Sequence, residues 1–85
     1  MAERKATVAA EVGLHARPAA TFVQTAAKAA MDVTVAKGHG EPVNAKSILA
    51  VMGLDVRQGE TIVIRAEGEG ADDLLESLAK IAETS

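Results

Sequence analysis

Eighty-five residues suffice for one small domain, and 48% hydrophobic side chains with Phe22 as the only aromatic imply a compact core of small aliphatic groups. The absence of cysteine excludes disulfides and thiolate metal sites and gives no reason to expect an oxidising compartment. A net charge of -3 without a basic block argues against a nucleic-acid surface, and no apolar run approaches the ~20 residues of a bilayer span, so no membrane insertion and a cytoplasmic location are expected.

In chain order, Met1 to Lys5 carries charge but leads into no apolar run of the kind a signal peptide needs. Lys5 to Ala10 alternates with Ala6, Val8 and Ala10 on one face, which predicts the first strand, broken at Val12-Gly13. From Ala16 to Ala29 the positions Ala19, Val23, Ala26, Ala27 and Ala30 recur at helical spacing in an alanine-rich stretch. Asp32 to Lys37 reads as a half-buried strand ending in the Gly38-His39-Gly40 turn, and Glu41 to Asn44 as a short returning strand whose Pro42 places it at a sheet edge or at a strand start. Ser47 is placed to cap a short helix through Ile48, Leu49, Val51 and Met52, closed by Gly53. Thr61 to Ala66 puts Ile62, Ile64 and Ala66 on one face of the last strand. The third helix starts at Gly70 or Ala71, with Asp72 and Asp73 in its first turn and Leu74, Leu75, Leu78, Ile81 and Ala82 as its apolar stripe. The resulting order βαββαβα suits an α+β fold, with helices on one face of an antiparallel sheet.

The stretch Gly13-Leu14-His15-Ala16-Arg17-Pro18 concentrates chemistry. Pro18, with φ preset and no N–H to lose, suits a first helical turn, so the helix begins close to His15. First-turn N–H groups lack intrahelical partners, and the peptide dipoles sum to roughly half a positive charge there, which favours an anion beside His15. Arg17 adds a guanidinium fork for phosphate oxygens. An imidazole, with an ordinary pKa of about 6.5, is substantially neutral and nucleophilic near pH 7. On residue types alone, a histidine and an arginine at a helix start also fit a surface cap. His39 reads as a solvated turn residue, and Glu67, Glu69, Asp72 and Asp73 as a solvated acidic face without calcium-loop spacing, so neither metal nor cofactor is expected.

The segment Gly13-Leu14-His15-Ala16-Arg17-Pro18-Ala19, followed by Val23-Gln24 and then by Val43-Asn44-Ala45-Lys46-Ser47-Ile48 and Val51-Met52, resembles the HPr family. These are histidine-containing phosphocarriers of the bacterial phosphoenolpyruvate-dependent sugar phosphotransferase system. The resemblance spans nearly the whole chain and implies one HPr domain over residues 1–85. It implies an open-faced sandwich, with a four-stranded antiparallel sheet covered on one face by three helices. It further implies that His15 accepts a phosphoryl group at Nδ1 from Enzyme I and yields it to enzyme IIA domains. The chain would then be a stoichiometric carrier rather than an enzyme, with Arg17 stabilising the charge and Pro18 setting the helix start. Arg17, Ala20, Gln24 and Lys28 on the first helix, with Ile48, Leu49 and Met52 on the second, would form the docking surface of an expected monomer. Ile48 and Leu49 are adjacent, so one helix stripe cannot bury both, and at least one of them is expected at the surface. In the family branch with an HPr kinase/phosphorylase, the serine matched by Ser47 is regulatory. A phosphoserine form acting on a catabolite-control transcription factor or an enzyme is therefore the alternative function. Relatives often carry a polar side chain where this chain has Val12, which cannot hold phosphoryl oxygens.

Overall fold

In the computed structural model, which describes residues 2–84, the elements run β1 (Ala2–Thr7), α1 (Ala16–Ala27), β2 (Val33–Lys37), β3 (Val43–Asn44), α2 (Ile48–Gly53), β4 (Thr61–Ala66) and α3 (Ala71–Thr84). Met1 and Ser85, the ends of the expected 1–85 domain, lie outside the described residues. All strand pairings are antiparallel, in the order β1-β4-β2-β3. The three helices and the four-stranded sheet form the expected open-faced α+β sandwich, with α3 packed on β1 and β4, and α1 against α3 and α2. Alternation in β4 explains the layering. Ile62, Ile64 and Ala66 are buried under the helices, while Arg65 points to the open face and donates from Nε to Glu3 at 2.7 Å.

Several boundaries depart from expectation. The first strand is Ala2–Thr7 rather than Lys5 to Ala10, in register with β4 from Ala2↔Ala66 to Thr7↔Thr61. Its exposed Glu3, Arg4 and Lys5 suit an edge strand, which charge protects from unwanted pairing. Val8 and Ala10 are buried as the alternation implies, but the regular ladder ends at Thr7: Val8 N–H still bonds the Glu60 carbonyl at 2.9 Å, while Ala9 N–H turns to the carbonyl of Ala82 in α3. Helix α1 ends at Ala27, and its buried stripe is Ala19, Phe22 and Ala26. Ala27 and Ala30 are exposed, whereas Phe22 is among the largest fully buried side chains. The third strand is shortened to Val43–Asn44 and does lie at the sheet edge. Helix α2 does end at Gly53, but that glycine is itself helical, and the left-handed residue beyond the helix is Asp55, with φ +52°.

Candidate functional site

His15 is the N-cap of α1, in extended conformation (φ -127°, ψ 164°), and its side chain makes no capping bond. Arg17 and Pro18 follow inside the first turn, where Pro18 forfeits no intrahelical bond and the neighbouring N–H groups lack helical acceptors. Ala16 has φ +49°, a conformation that a side chain with a Cβ adopts only at a cost.

The segment leading to His15 is held by backbone contacts with residues 56–57. Leu14, fully buried, donates its N–H to the carbonyl of Val56 at 2.9 Å. Gly13 has φ +70° and approaches so closely that a Cβ there would lie 2.1 Å from the Val56 oxygen. The two backbones therefore run in contact, and this brings His15 beside Asp55.

The imidazole Nε2 lies 3.1 Å from Asp55 Oδ1, and Arg57 Nη2 donates to Asp55 Oδ2 at 3.2 Å. The Arg57 guanidinium, by its hydrogen bond and then its charge, holds the Asp55 carboxyl below the ordinary carboxylate value, and His15 adds to the effect. An ionised carboxylate only accepts, so Nε2 carries the proton of this contact and the lone pair of the neutral ring falls on Nδ1. Nδ1 makes no hydrogen bond among the described residues. With 33% of its side chain exposed, His15 is reachable from solvent. Lys37 Nζ donates to the Asp55 carbonyl at 3.1 Å and pairs with Glu60 at 3.4 Å, bracing the loop from its other side.

Arg17 is exposed and its guanidinium has no partner among the described residues. Gln24 on the same helix and Lys28 at its C-cap are exposed, while Ala20 and Pro18 are half-buried. On α2, Val51 is the core contact, and Ile48, Leu49 and Met52 all reach the surface, with Leu49 81% exposed. Val12 is also exposed, beside the segment that carries His15. Ser47 is the N-cap of α2, its Oγ accepting from the Ala50 N–H at 3.3 Å. His39 and the acidic residues of 67–73 are exposed. Among the described residues, no three of His, Cys, Asp and Glu come together as metal ligands would.

Asp55 and Arg57 were not legible in the sequence as site residues. Forty positions separate Asp55 from His15, and the local string Gly53-Leu54-Asp55 reads as a helix end. The available signal is weak: an aspartate tolerates a left-handed conformation better than most residues, so Asp55 rather than Gly53 can take the turn.

A family model described as the PTS HPr component phosphorylation site matches residues 2–84. The phosphocarrier protein HPr of Streptomyces coelicolor is 52% identical over 81 residues, covering 95% of this chain and 87% of that protein. The crystal structure of a phosphocarrier protein HPr from Bacillus anthracis superposes with a TM-score of 0.90 at 40% identity, covering 96% of each chain. The Bacillus subtilis catabolite repression protein Crh, described as a swapped, intertwined dimer, is also similar, with a TM-score of 0.73, 40% identity, and 100% and 99% of the two chains covered. That assembly counts against the expectation of a monomer.

Proposed function

The chain belongs to the HPr family of phosphocarriers, and on that premise we propose that His15 receives a phosphoryl group at Nδ1 from phosphorylated Enzyme I and surrenders it to enzyme IIA domains during sugar uptake. The observation that carries this reading is the state of the His15 ring. It stands at a helix N-terminus with Nε2 engaged by Asp55 and Nδ1 without a protein partner among the described residues. In the transfer, the Nδ1 lone pair forms the new N–P bond as the bond from phosphorus to its donor atom on Enzyme I breaks. The incoming phosphoryl meets the first-turn amides and Arg17, which offset its charge in part. Partial compensation suits a relay, because whatever stabilises the phosphohistidine over the free ring opposes onward transfer. No metal or cofactor is needed on this chain, since the partner's site can supply the remaining organisation of the transition state.

Docking is assigned to Arg17, Ala20 and Gln24 on α1 and Lys28 at its C-cap, with Ile48, Leu49 and Met52 on α2. An apolar patch with a methionine beside a positive charge adapts to several acidic partners. The same reading takes residues 1–85 as one HPr domain acting in the cytoplasm as a carrier rather than an enzyme. A second reading, regulation through phosphorylation of Ser47 by an HPr kinase/phosphorylase and binding to a catabolite-control transcription factor, is favoured by the position of Ser47 at the start of α2 beside that patch. About -1.5 to -2 charges added there would oppose docking of acidic partners. The similarity to Crh supports this reading as well, while the His15, Arg17 and Pro18 set favours the carrier.

Incubation with phosphoenolpyruvate and Enzyme I, followed by intact mass spectrometry, tests the carrier reading. One acid-labile phosphoryl group is expected, absent from His15→Ala and retained in Ser47→Ala. An unmodified wild-type chain, or an equally modified His15→Ala, would refute it.

A further inference from the structure

We propose that Asp55 is a positioning residue that selects which ring nitrogen of His15 is phosphorylated. The inference rests on the reading of His15 as phosphoryl acceptor and assigns a residue that neither the motif nor the family match names. A free imidazole offers either nitrogen to an electrophile, because its two neutral tautomers interconvert. In this chain the choice is removed. Asp55 Oδ1 lies 3.1 Å from Nε2, and Oδ2 is taken by Arg57 Nη2 at 3.2 Å, so the carboxylate cannot turn away without giving up a partner. With the proton fixed on Nε2, only Nδ1 presents a lone pair.

The backbone supports this assignment. Asp55 holds φ +52°, an uncommon conformation for a residue with a side chain, one residue beyond the C-cap Leu54 of α2. Lys37 Nζ anchors its carbonyl at 3.1 Å, and the Leu14 to Val56 hydrogen bond at 2.9 Å ties its loop to the segment that ends in His15. A conformation maintained at a cost and braced from two sides is expected where it aims a functional group.

The carboxylate also matches the charge that transfer creates. Attack through Nδ1 by a ring that keeps its Nε2 proton leaves a formally cationic phosphoimidazole, whose N–H points at Asp55. Onward transfer returns the ring to neutrality with the proton still in place. The aspartate of a serine-protease triad holds and compensates its imidazole in the same manner without taking the proton.

Chemical phosphorylation with potassium phosphoramidate isolates the effect from any partner. A ring nitrogen attacks phosphorus, the P–N bond of the reagent breaks, and ammonia leaves with a proton, so the product records which nitrogen was free. Long-range 1H–15N correlation spectra of the 15N-labelled protein distinguish the two phosphohistidine isomers. The wild type is expected to react at Nδ1. Asp55→Gly removes the acceptor while relieving the left-handed backbone, so its fold is not at risk, and the share of Nε2 product should rise by about three- to tenfold, the range from a screened surface pair to a charge-assisted hydrogen bond. Asp55→Asn keeps the shape but has a single acceptor oxygen; with Arg57 holding that oxygen the amide NH2 faces Nε2, so this variant should also shift the product towards Nε2. A merely structural Asp55 would leave the isomer ratio unchanged. Exclusive Nδ1 product in Asp55→Gly, or a wild type that reacts mainly at Nε2, would overturn the proposal. Neither arm uses Enzyme I, so a failure of Enzyme I to phosphorylate the chain would remove the carrier reading and leave this result standing.

Discussion

Gly13→Ala tests whether the approach of two backbones, rather than any side-chain contact, places His15. The added Cβ would sit 2.1 Å from the Val56 oxygen and 2.8 Å from the Arg57 Cα, both backbone atoms that no rotamer can move aside. Restoring an ordinary separation of about 3.5 Å requires the segments to part by more than ~1 Å. That displacement breaks the 2.9 Å bond from Leu14 to Val56 and leaves the N–H of a fully buried residue without its acceptor. The unsatisfied group costs about 1–3 kcal/mol, and the left-handed φ of +70° adds about 1–2 kcal/mol once a Cβ is present. The expected loss is therefore about 2–5 kcal/mol, a large part of the ~5–15 kcal/mol that stabilises a typical domain. Gly38→Ala is the matched reference, with φ +56° and nothing within 4 Å of the added atom, so only the conformational cost applies. Urea unfolding followed by circular dichroism should show unchanged slopes, with a midpoint about 1.5–3 M lower for Gly13→Ala and about 1 M lower for Gly38→Ala, taking a slope near 1.5 kcal/mol per M. Equal shifts in the two variants would refute the role given to the close approach.

Arg17→Ala should fold with a stability change within about 0.5 kcal/mol, because the side chain is exposed and unpaired among the described residues, yet accept the phosphoryl group at least tenfold more slowly in rapid-quench experiments; unchanged kinetics would remove Arg17 from the mechanism. Ser47→Ala should lose about 0.5–1 kcal/mol by thermal unfolding, through its long capping bond to Ala50, while still being phosphorylated at His15. Glu60 titrates below its ordinary value of 4.5, chiefly because the Arg57 N–H bonds it at 2.8 Å and then because Lys37 pairs with it. Its stabilisation is thus present above about pH 4.5 and lost as pH falls through the lowered value. Glu60→Gln should be less stable than the wild type at neutral pH and should lose less on acidification, as read from urea midpoints across that range.

The element order was legible because strands and helices carry their own periods: Ile62, Ile64 and Ala66 alternate, and Leu75, Leu78 and Ala82 recur on one helix stripe. The edges were less so. Charged Glu3, Arg4 and Lys5 masked the start of β1, because an edge strand can leave polar groups on an open face without penalty. Alanines at every turn of α1 blurred its inward stripe, and burial of Phe22 settles it. At the site, His15, Arg17 and Pro18 stand in one short string, so local chemistry suggests them. Asp55 and Arg57 join that site only through the tertiary approach of residues 13–14 to residues 56–57, for which a single sequence holds no local signal.

The most direct measurement is the long-range 1H–15N spectrum of the protein after phosphorylation by Enzyme I and phosphoenolpyruvate. A phosphoryl group on Nδ1 of His15, with the proton retained on Nε2, is the predicted result. A phosphoryl group on Nε2, on Ser47, or on no residue of this chain would contradict it.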